Sequence, residues 1–492
     1  MLADAQDLPE LSDLPQFREQ RVGDSLTLAF PADPALFPES FAFLARFKAL
    51  STIQQLESGD ETVAQLIARA RLDEQLLADM LRTYGYYDGE VIRQLSGGRR
   101  DRNLSSDNRE SRSRSRANAV KPEVRFDIIP GSHYTVGSID FGSLDASEPA
   151  QASDLKSAFE MTRGDPLYSD RIAQEAGDLR LALADRGYPF ALVGEPSMLV
   201  DHARREGDIT VPTEPSGIYN FGAVISDDPD FLSGAHLAKI ARFDPGDIYQ
   251  ASLQSDLRRA VLATGLVSSV AVTPRETRAP SANQPGEVAL DVAIDRAPLR
   301  TITGGVGYGT EEGLRLEAGW EHRNLFPPEG ALLVRGIAGT QEQLASVGFR
   351  RSNFRARDQI LTIDAYFSDL DTDAIDARTI ALRGTFERVS NLLFQKQFSW
   401  ALGAEILRSE ERNSTFFDTP VPRETYVIGG LFGRALLDGS DDLLDPTRGF
   451  RVALEIAPDV SRTQGQTSVY TGLGGDLSYY QPVGRHVLAG RA

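Results

Sequence analysis

The chain has 492 residues, 41% apolar and 25% charged, the proportions of an ordinary folded protein at a length that calls for several domains. A formal net charge of −19 speaks against general nucleic-acid binding, and the absence of cysteine excludes disulfides, thiolate metal sites and cysteine catalysis. No run of about 18 apolar residues offers a transmembrane helix, whereas a transmembrane β-barrel, whose alternating strands escape a hydropathy scan, stays open.

From the N-terminus, "MLADAQDLPELSDLPQ" is acidic and lacks an apolar core, so it does not read as a secretory signal. The chain is then either cytosolic or served by a signal outside these residues. Residues 1–298 mix helical and strand periodicity, and one pattern recurs three times. Leu76, Met80 and Tyr84 are spaced four apart before "GYYDGEVIRQL" from Gly85. Ile172, Ala176, Leu179 and Leu183 share a helical face before "GYPFALV" from Gly187. Leu253, Leu257 and Val261 do so before "GLVSSVAVTP" from Gly265. Each glycine falls four residues after an apolar helix position, where a left-handed cap is needed. Gly187 and Gly265 lie 78 residues apart; Gly85 and Gly187 lie 102 apart, of which a polar insert takes 26. Three units of similar length follow, each β-α-α-β-β. First strands are placed at 25–30, 134–142 and 219–227, short first helices at "DLKSAFEM" and "GAHLAKIARF", and last strands at 124–131 and 288–295. The insert 96–121, rich in Ser and Arg, has little to bury and reads as a disordered loop between two strands of the first unit.

From about residue 299 helical spacing gives way to period two. Ile302, Val306 and Tyr308 share a face. In "EGLRLEAGWEH" Leu314, Leu316, Ala318 and Trp320 alternate with Arg315, Glu317 and Glu321. Ile380, Leu382 and Phe386 oppose Arg383 and Glu387. Phe398, Trp400, Leu402 and Ile406 oppose Ser399 and Glu405. Phe450, Val452, Leu454 and Ile456 oppose Arg451 and Glu455. With 331–339, 343–351, 358–368, 425–435, 468–480 and 485–492 the count is about eleven strands, most near the 9–11 residues that cross a bilayer. Such alternation fits a soluble β-sandwich as well as a barrel. Aromatics near strand ends (Trp320, Tyr366, Phe367, Tyr426, Tyr479 and Tyr480) favour a barrel with interface girdles.

Catalytic and metal chemistry find little support. "GDSL" at 23–26 offers Ser25, but none of His133, His202, His236, His322 and His486 has Asp three residues before it, so the nucleophile lacks its base. No Gly-x-Ser-x-Gly elbow, phosphate-binding Gly-rich loop or His-Glu-x-x-His is present. Asp369, Asp371, Asp373 and Asp376 resemble a calcium loop, yet Ala374 and Ile380 stand where Gly and Glu are needed. The expectation is a non-enzyme with no cofactor, metal or catalytic residue.

Five segments carry a family resemblance: "ALSTI" (49–53), "LRTYGYYDGEV" (81–91), "FDPGDIYQASLQSDLRRAVLATGLVSSVAVTPRET" (243–277), "GGVGYGTEEGLRLEAGWEHRNLF" (304–326) and "LLDPTRGFRVALEI" (443–456). In this order, over most of the chain, they resemble the TamA family of translocation and assembly module subunits, within the superfamily that sets POTRA units before an outer-membrane β-barrel. The resemblance implies an α+β fold of three POTRA repeats followed by an antiparallel transmembrane β-barrel. The units are 1–131 with the insert 96–121, 132–215 and 216–298, and the barrel portion is 299–492. Family barrels have sixteen strands. This chain stops near the eleventh and lacks the Arg-Gly-Phe segment of the following long loop, so it reads as a fragment with an incomplete barrel. Arg448-Gly449-Phe450 precedes strand nine and is a different element.

The implied role is assembly and insertion of outer-membrane proteins, such as autotransporters, with the POTRA units in the periplasm. Ile302, Gly304, Gly305, Val306, Gly307, Tyr308 and Gly309 would form the lateral-gate strand. Leu314, Leu316, Trp320, Phe398, Trp400 and Leu402 would face lipid. Asp445, Pro446, Arg448 and Gly449 would form the superfamily's turn into a strand. Implied partners are a TamB-like inner-membrane-anchored protein at the first unit, unfolded outer-membrane clients and outer-membrane lipid, with no nucleic acid. Alternatives are a BamA-type general insertase (usually five units), a two-partner secretion pore (two), or a soluble periplasmic β-sandwich scaffold.

Overall fold

The computed structural model describes residues 16–56, 62–96, 122–146, 149–281, 284–310, 313–372, 375–390, 396–413 and 423–492. The insert from residue 97 onward, the acidic N-terminal segment, and Asp373 and Ala374 lie outside them. The chain divides into two compact units, Met1–Gly217 and Ile218–Ala492.

The first unit holds two mixed α/β modules. Module one runs β1 (Phe17–Arg21), β2 (Leu26–Pro31), α1 (Ser40–Leu50), α2 (Thr52–Gln55), α3 (Val63–Thr83), β3 (Glu90–Ser96) and β4 (Glu123–Ile129). Its sheet has the order β1-β2-β4-β3, with β2 and β4 parallel. The short polar β1, FREQR, gives no alternation signal and was not anticipated. Helix α3 starts at a capping box, Thr62 with Gln65, which satisfies two orphan N–H groups. It ends at Gly85, whose φ is +83°. Leu26, Leu28, Phe30, Phe43, Phe47, Leu66 and Leu77 fill the core between helices and sheet. The "ALSTI" segment owes its shape to Asp73. This buried carboxylate accepts from Ser51 Oγ (2.6 Å), Thr52 N (2.7 Å), Thr52 Oγ1 (2.7 Å) and Ile53 N (3.2 Å), so it starts α2 without leaving a charge unpaired.

Module two runs β5 (Thr135–Gly142), α4 (Pro149–Lys156), α5 (Ser169–Asp185), β6 (Leu192–Val193), β7 (Ser197–Asp201) and β8 (Glu206–Glu214). β5 lies parallel to β8, and β6 and β7 antiparallel to it. The strand expected from Gly187 shrinks to the two residues of β6, because Pro189 lies before it and Pro196, just past the bond from Gly194 N to Pro212 O (2.8 Å), has no N–H to carry the ladder on to β7. The aromatic run Tyr84–Tyr87 joins the two modules. Glu39 accepts the hydroxyls of Tyr86 (2.7 Å) and Tyr168, and Tyr134 N donates to Gly85 O (2.9 Å). Burial raises the Glu39 pKa, but hydrogen bonds from Tyr168 and Tyr86, together with a backbone hydrogen bond and the nearby His133, hold it below the ordinary glutamate value.

The second unit opens with a third module: β9 (Tyr219–Ser226), α6 (Gly234–Ile240), α7 (Ala251–Ala263), β10 (Val267–Arg278) and β11 (Gly286–Arg296), in the sheet order β10-β11-β9 with β9 and β11 parallel. Gly187 and Gly265, like Gly85, take positive φ (+101° and +68°) after their helices. There follow β12 (Arg300–Gly309), β13 (Gly313–Phe326), β14 (Gly330–Gly339), β15 (Glu342–Arg351), β16 (Gln359–Asp371), β17 (Ile375–Arg388), β18 (Phe398–Asn413), β19 (Glu424–Asp438), β20 (Gly449–Thr463), β21 (Gln466–Val483) and β22 (His486–Arg491). These eleven form one antiparallel sheet in sequence order, not two stacked sheets, which sets the β-sandwich reading aside. Among the described residues β12 and β22 each have a single strand neighbour. Among the described residues no helix is long and apolar enough to cross a membrane, which says nothing of crossing by strands.

Candidate functional site

Strand register decides which side chains share a face, because directly paired residues project to the same side. Ile302 pairs with Trp320, Val306 with Leu316 and Tyr308 with Leu314. Trp320 pairs with Val334, Val334 with Val347, Val347 with Ala365 and Ala365 with Leu382. Further along the sheet, Leu402 pairs with Phe386 and Gly433, Gly433 with Ile456, and Ile456 with Leu473. One apolar face therefore runs unbroken from the first strand to the tenth. It is not covered: Val306 is 76% exposed, Leu402 57%, Leu454 60% and Leu473 78%. A patch this large facing water would be untenable for a soluble monomer.

The opposite face carries charge, and the charges pair across strands. Glu317 binds Arg335 (2.7 Å), Arg315 binds Glu342 (3.0 Å), Arg383 approaches Glu405 (3.6 Å) and Arg434 binds Glu455 (3.1 Å). The Phe432 ring also lies on this face, over Gly403 and 4.6 Å from the Arg383 guanidinium. A Cβ at Gly403 would sit 2.2 Å from that ring and 2.7 Å from Gly384 O, so a side chain there would displace the ring and crowd the backbone.

Charges also fence the apolar face. On β17, Arg378 and Arg388 bracket Ile380, Leu382, Gly384 and Phe386 on the same side. On β20 the apolar positions run from Phe450 to Val460. Ten steps of about 3.4 Å give about 34 Å along the strand, and about 26 Å across a bilayer at the usual tilt of about 40°, close to the roughly 25 Å apolar band of outer-membrane barrels.

Leu314, Leu316, Trp320, Phe398, Trp400 and Leu402 all lie on the apolar face, and the Trp400 ring meets Phe386 edge-on at 4.9 Å. The aromatic girdle divides. Trp320, Phe367 and Tyr479 lie on the apolar face, whereas Tyr366, Tyr426 and Tyr480 pair with Ser346, Ser409 and Gly449 and so project to the charged face. Consecutive aromatics such as Phe367 beside Tyr366 cannot share a face at period two.

β12 pairs with β13 over ten residues, four of them glycine. Its one strand partner is β13. Among the described residues a Cβ at Gly304 or Gly305 would come no nearer than 4.0 or 3.9 Å to any neighbour, and one at Gly307 would meet nothing within 4 Å. Sterics therefore do not demand these glycines; they leave the outer edge bare. The opposite end is anchored. Arg323 N donates to Leu299 O (2.9 Å), and its guanidinium reaches Pro298 O (3.3 Å) and Thr301 Oγ1 (3.1 Å).

The turn into β20 is organised by acids that sequence reading passed over. Asp441 accepts from Thr447 N (2.9 Å) and Arg448 N (3.0 Å), and Asp442 from Leu444 N (2.7 Å) and Asp445 N (2.8 Å). Hydrogen bonds from Thr447 and Arg448 hold the Asp441 carboxyl far below the usual range. Gly449 has φ +106°, and a Cβ there would sit 2.1 Å from Gly439 O. Of the predicted turn residues, Arg448 and Asp445 lend backbone N–H groups, Gly449 makes the bend, and Pro446 makes no hydrogen bond to these acids.

No protein-family model matches the chain. Among solved structures, BamA from Haemophilus ducreyi lacking POTRA domains 1–3 aligns over 73% of this chain and 70% of its own, at 17% identity and a TM-score of 0.53. That likeness shows a shared fold. CdiB from Acinetobacter baumannii aligns over 87% of this chain and 75% of its own, at 13% identity, but its TM-score of 0.31 carries no argument.

Proposed function

We propose that this chain is an outer-membrane protein-assembly factor, a bilayer-embedded β-wall whose first strand templates strands of client proteins, preceded by three periplasmic POTRA units. The carrying observation is the junction of two features at β12: an apolar face of bilayer height and a strand with four glycines among its ten residues, of which Gly304, Gly305 and Gly307 have open space where a Cβ would be. A client strand cannot enter hydrocarbon with its peptide groups unpaired, at several kcal/mol each. Wherever its outer edge comes free, β12 offers N–H and C=O groups to pair with, so the client's backbone is satisfied as it reaches lipid. Register then aligns the client's apolar residues with the apolar face, since a slip of one residue would turn every side chain to the wrong side.

The finer reading is a TamA-type subunit that serves clients such as autotransporters and is contacted at its first module by a TamB-like inner-membrane-anchored protein. Family resemblance and the three α/β modules support it. In the full-length protein, Gly305→Cys and Gly307→Cys should crosslink to a cysteine in a stalled client strand, while Gly384→Cys in mid-sheet should not. Crosslinking that is absent from β12, or equal at Gly384, would reject the templating role. Recovery of the inner-membrane partner unchanged after removal of residues 1–131 would reject the contact assignment.

A further inference from the structure

The third module meets the turns of the sheet through charges rather than grease. His236 on α6 places Nε2 2.7 Å from Glu329 Oε1 in the β13–β14 turn, and the two side chains are 7% and 2% exposed. Asn353, between β15 and β16, donates to both Glu329 oxygens (3.0 and 2.9 Å) and accepts Asp358 N (2.9 Å). Beside this pair, Arg357 grips Asp256 of α7 with two nitrogens and donates to Ile240 O (3.0 Å) at the end of α6. Asp358 accepts from Lys396 (2.6 Å), which precedes β18, and from Arg242 (3.3 Å), which follows α6. The Arg357 and Asp256 side chains are each 10% exposed. Burial pushes the pKa values of Arg242 and Lys396 down, as expected of cations taken out of water.

We propose that this junction is a two-state latch that holds the third module in one orientation against the sheet and releases it as a whole. Buried ion pairs are bistable in a way apolar contacts are not. Fully paired, the charges are compensated. Fully separated, water hydrates them. Halfway, with partners parted but still dry, each leaves an uncompensated charge, which is strongly unfavourable. Intermediate tilts are thereby excluded. The latch joins three sheet connections, β13–β14, β15–β16 and the segment before β18, to both helices of one module, so its parts must open together. Its setting reaches β12 directly. Only residues 297–299 separate β11 from β12, Ala297 N donates to Leu266 O (2.9 Å), and Arg323 holds Pro298 and Thr301. The latch rests on this geometry and not on the templating role.

Because the chain has no cysteine, two introduced ones report unambiguously. Spin labels at Arg259→Cys on α7 and Gln343→Cys on β15, both exposed positions, should give one narrow distance distribution in the otherwise unchanged protein. Asp256→Arg should shift it to longer distances and lose the single peak, and adding Arg357→Asp should restore it. If Asp256→Arg does not fold, as judged by heat-modifiable gel mobility, the near-isosteric Asp256→Asn should produce the same shift. A folded single variant that keeps the narrow distribution overturns the latch, and so does a folded charge-swapped double variant that stays broad. Client crosslinking at Gly307 is a separate readout, so failure of either idea is distinguishable.

Discussion

Leu454→Arg tests whether the apolar face meets hydrocarbon. Leu454 lies near the middle of the apolar run Phe450–Val460 on β20, with Ala435 and Gly475 as its paired neighbours. A bilayer centred on this run places the residue at the midplane, about 13 Å from either edge of a roughly 25 Å band. An arginine there should cost about 2–4 kcal/mol, equivalent to a roughly 30- to 700-fold loss in the folding equilibrium at about 1.4 kcal/mol per decade. Ala453→Arg, one residue away, is the control. It projects to the charged face, paired with Leu436 and Asp476, where a guanidinium finds water and a carboxylate. Urea titration of the protein folded into phosphatidylcholine vesicles measures both. The expected result is a large loss for Leu454→Arg and a change within about 0.5 kcal/mol for Ala453→Arg. Equal losses would refute the assignment of faces, and with it the bilayer setting of the sheet.

Gly85→Ala should destabilise the first unit more than Gly164→Ala. Both glycines have positive φ, worth about 1–2 kcal/mol to a residue with a side chain, but a Cβ at Gly85 also lies 2.8 Å from Leu167 O whereas Gly164 has nothing within 4 Å. Chemical unfolding followed by far-ultraviolet circular dichroism compares them, and equal losses would show that crowding at the joint is immaterial. Acid should weaken the same joint. The Glu39 pKa is depressed on folding from an ordinary value of 4.5, so its contribution is fully present above that value and is lost as pH falls through the folded one. Glu39→Gln should flatten the fall in thermal stability below about pH 4.5; an unchanged slope would assign it to other carboxylates.

The sheet was largely legible because each strand writes its own two-residue period. Leu402, Phe386 and Ile456 are apolar opposite charged neighbours, and pairing with the adjacent strand added nothing needed to read them. The helix ends were legible for a similar local reason: Gly85, Gly187 and Gly265 sit where only a left-handed cap fits. Other features depend on partners far along the chain. Asp73 looks like one more helix carboxylate until Ser51 and Thr52 fold onto it. His236 was weighed for catalysis by its near neighbours, yet its partner is Glu329, more than ninety residues away. The latch residues stand alone in sequence, with no spacing to announce them. The aromatic girdle was legible only in part, because position near a strand end does not decide the face: Phe367 projects with the apolar residues and Tyr366 beside it with the charged ones.

From β12 to β22 every strand bonds to its sequence neighbours. Such a wall can be laid course by course. Each hairpin closes only a short loop, and loop-closure entropy rises slowly with length, so no strand waits for a distant mate. At every stage of construction the newest strand is the growing front, and its fresh ladder of amide and carbonyl groups needs shielding from stray chains, as does the fixed one on β12. A holding chaperone would therefore have one fixed and one moving margin to guard rather than a whole collapsed globule.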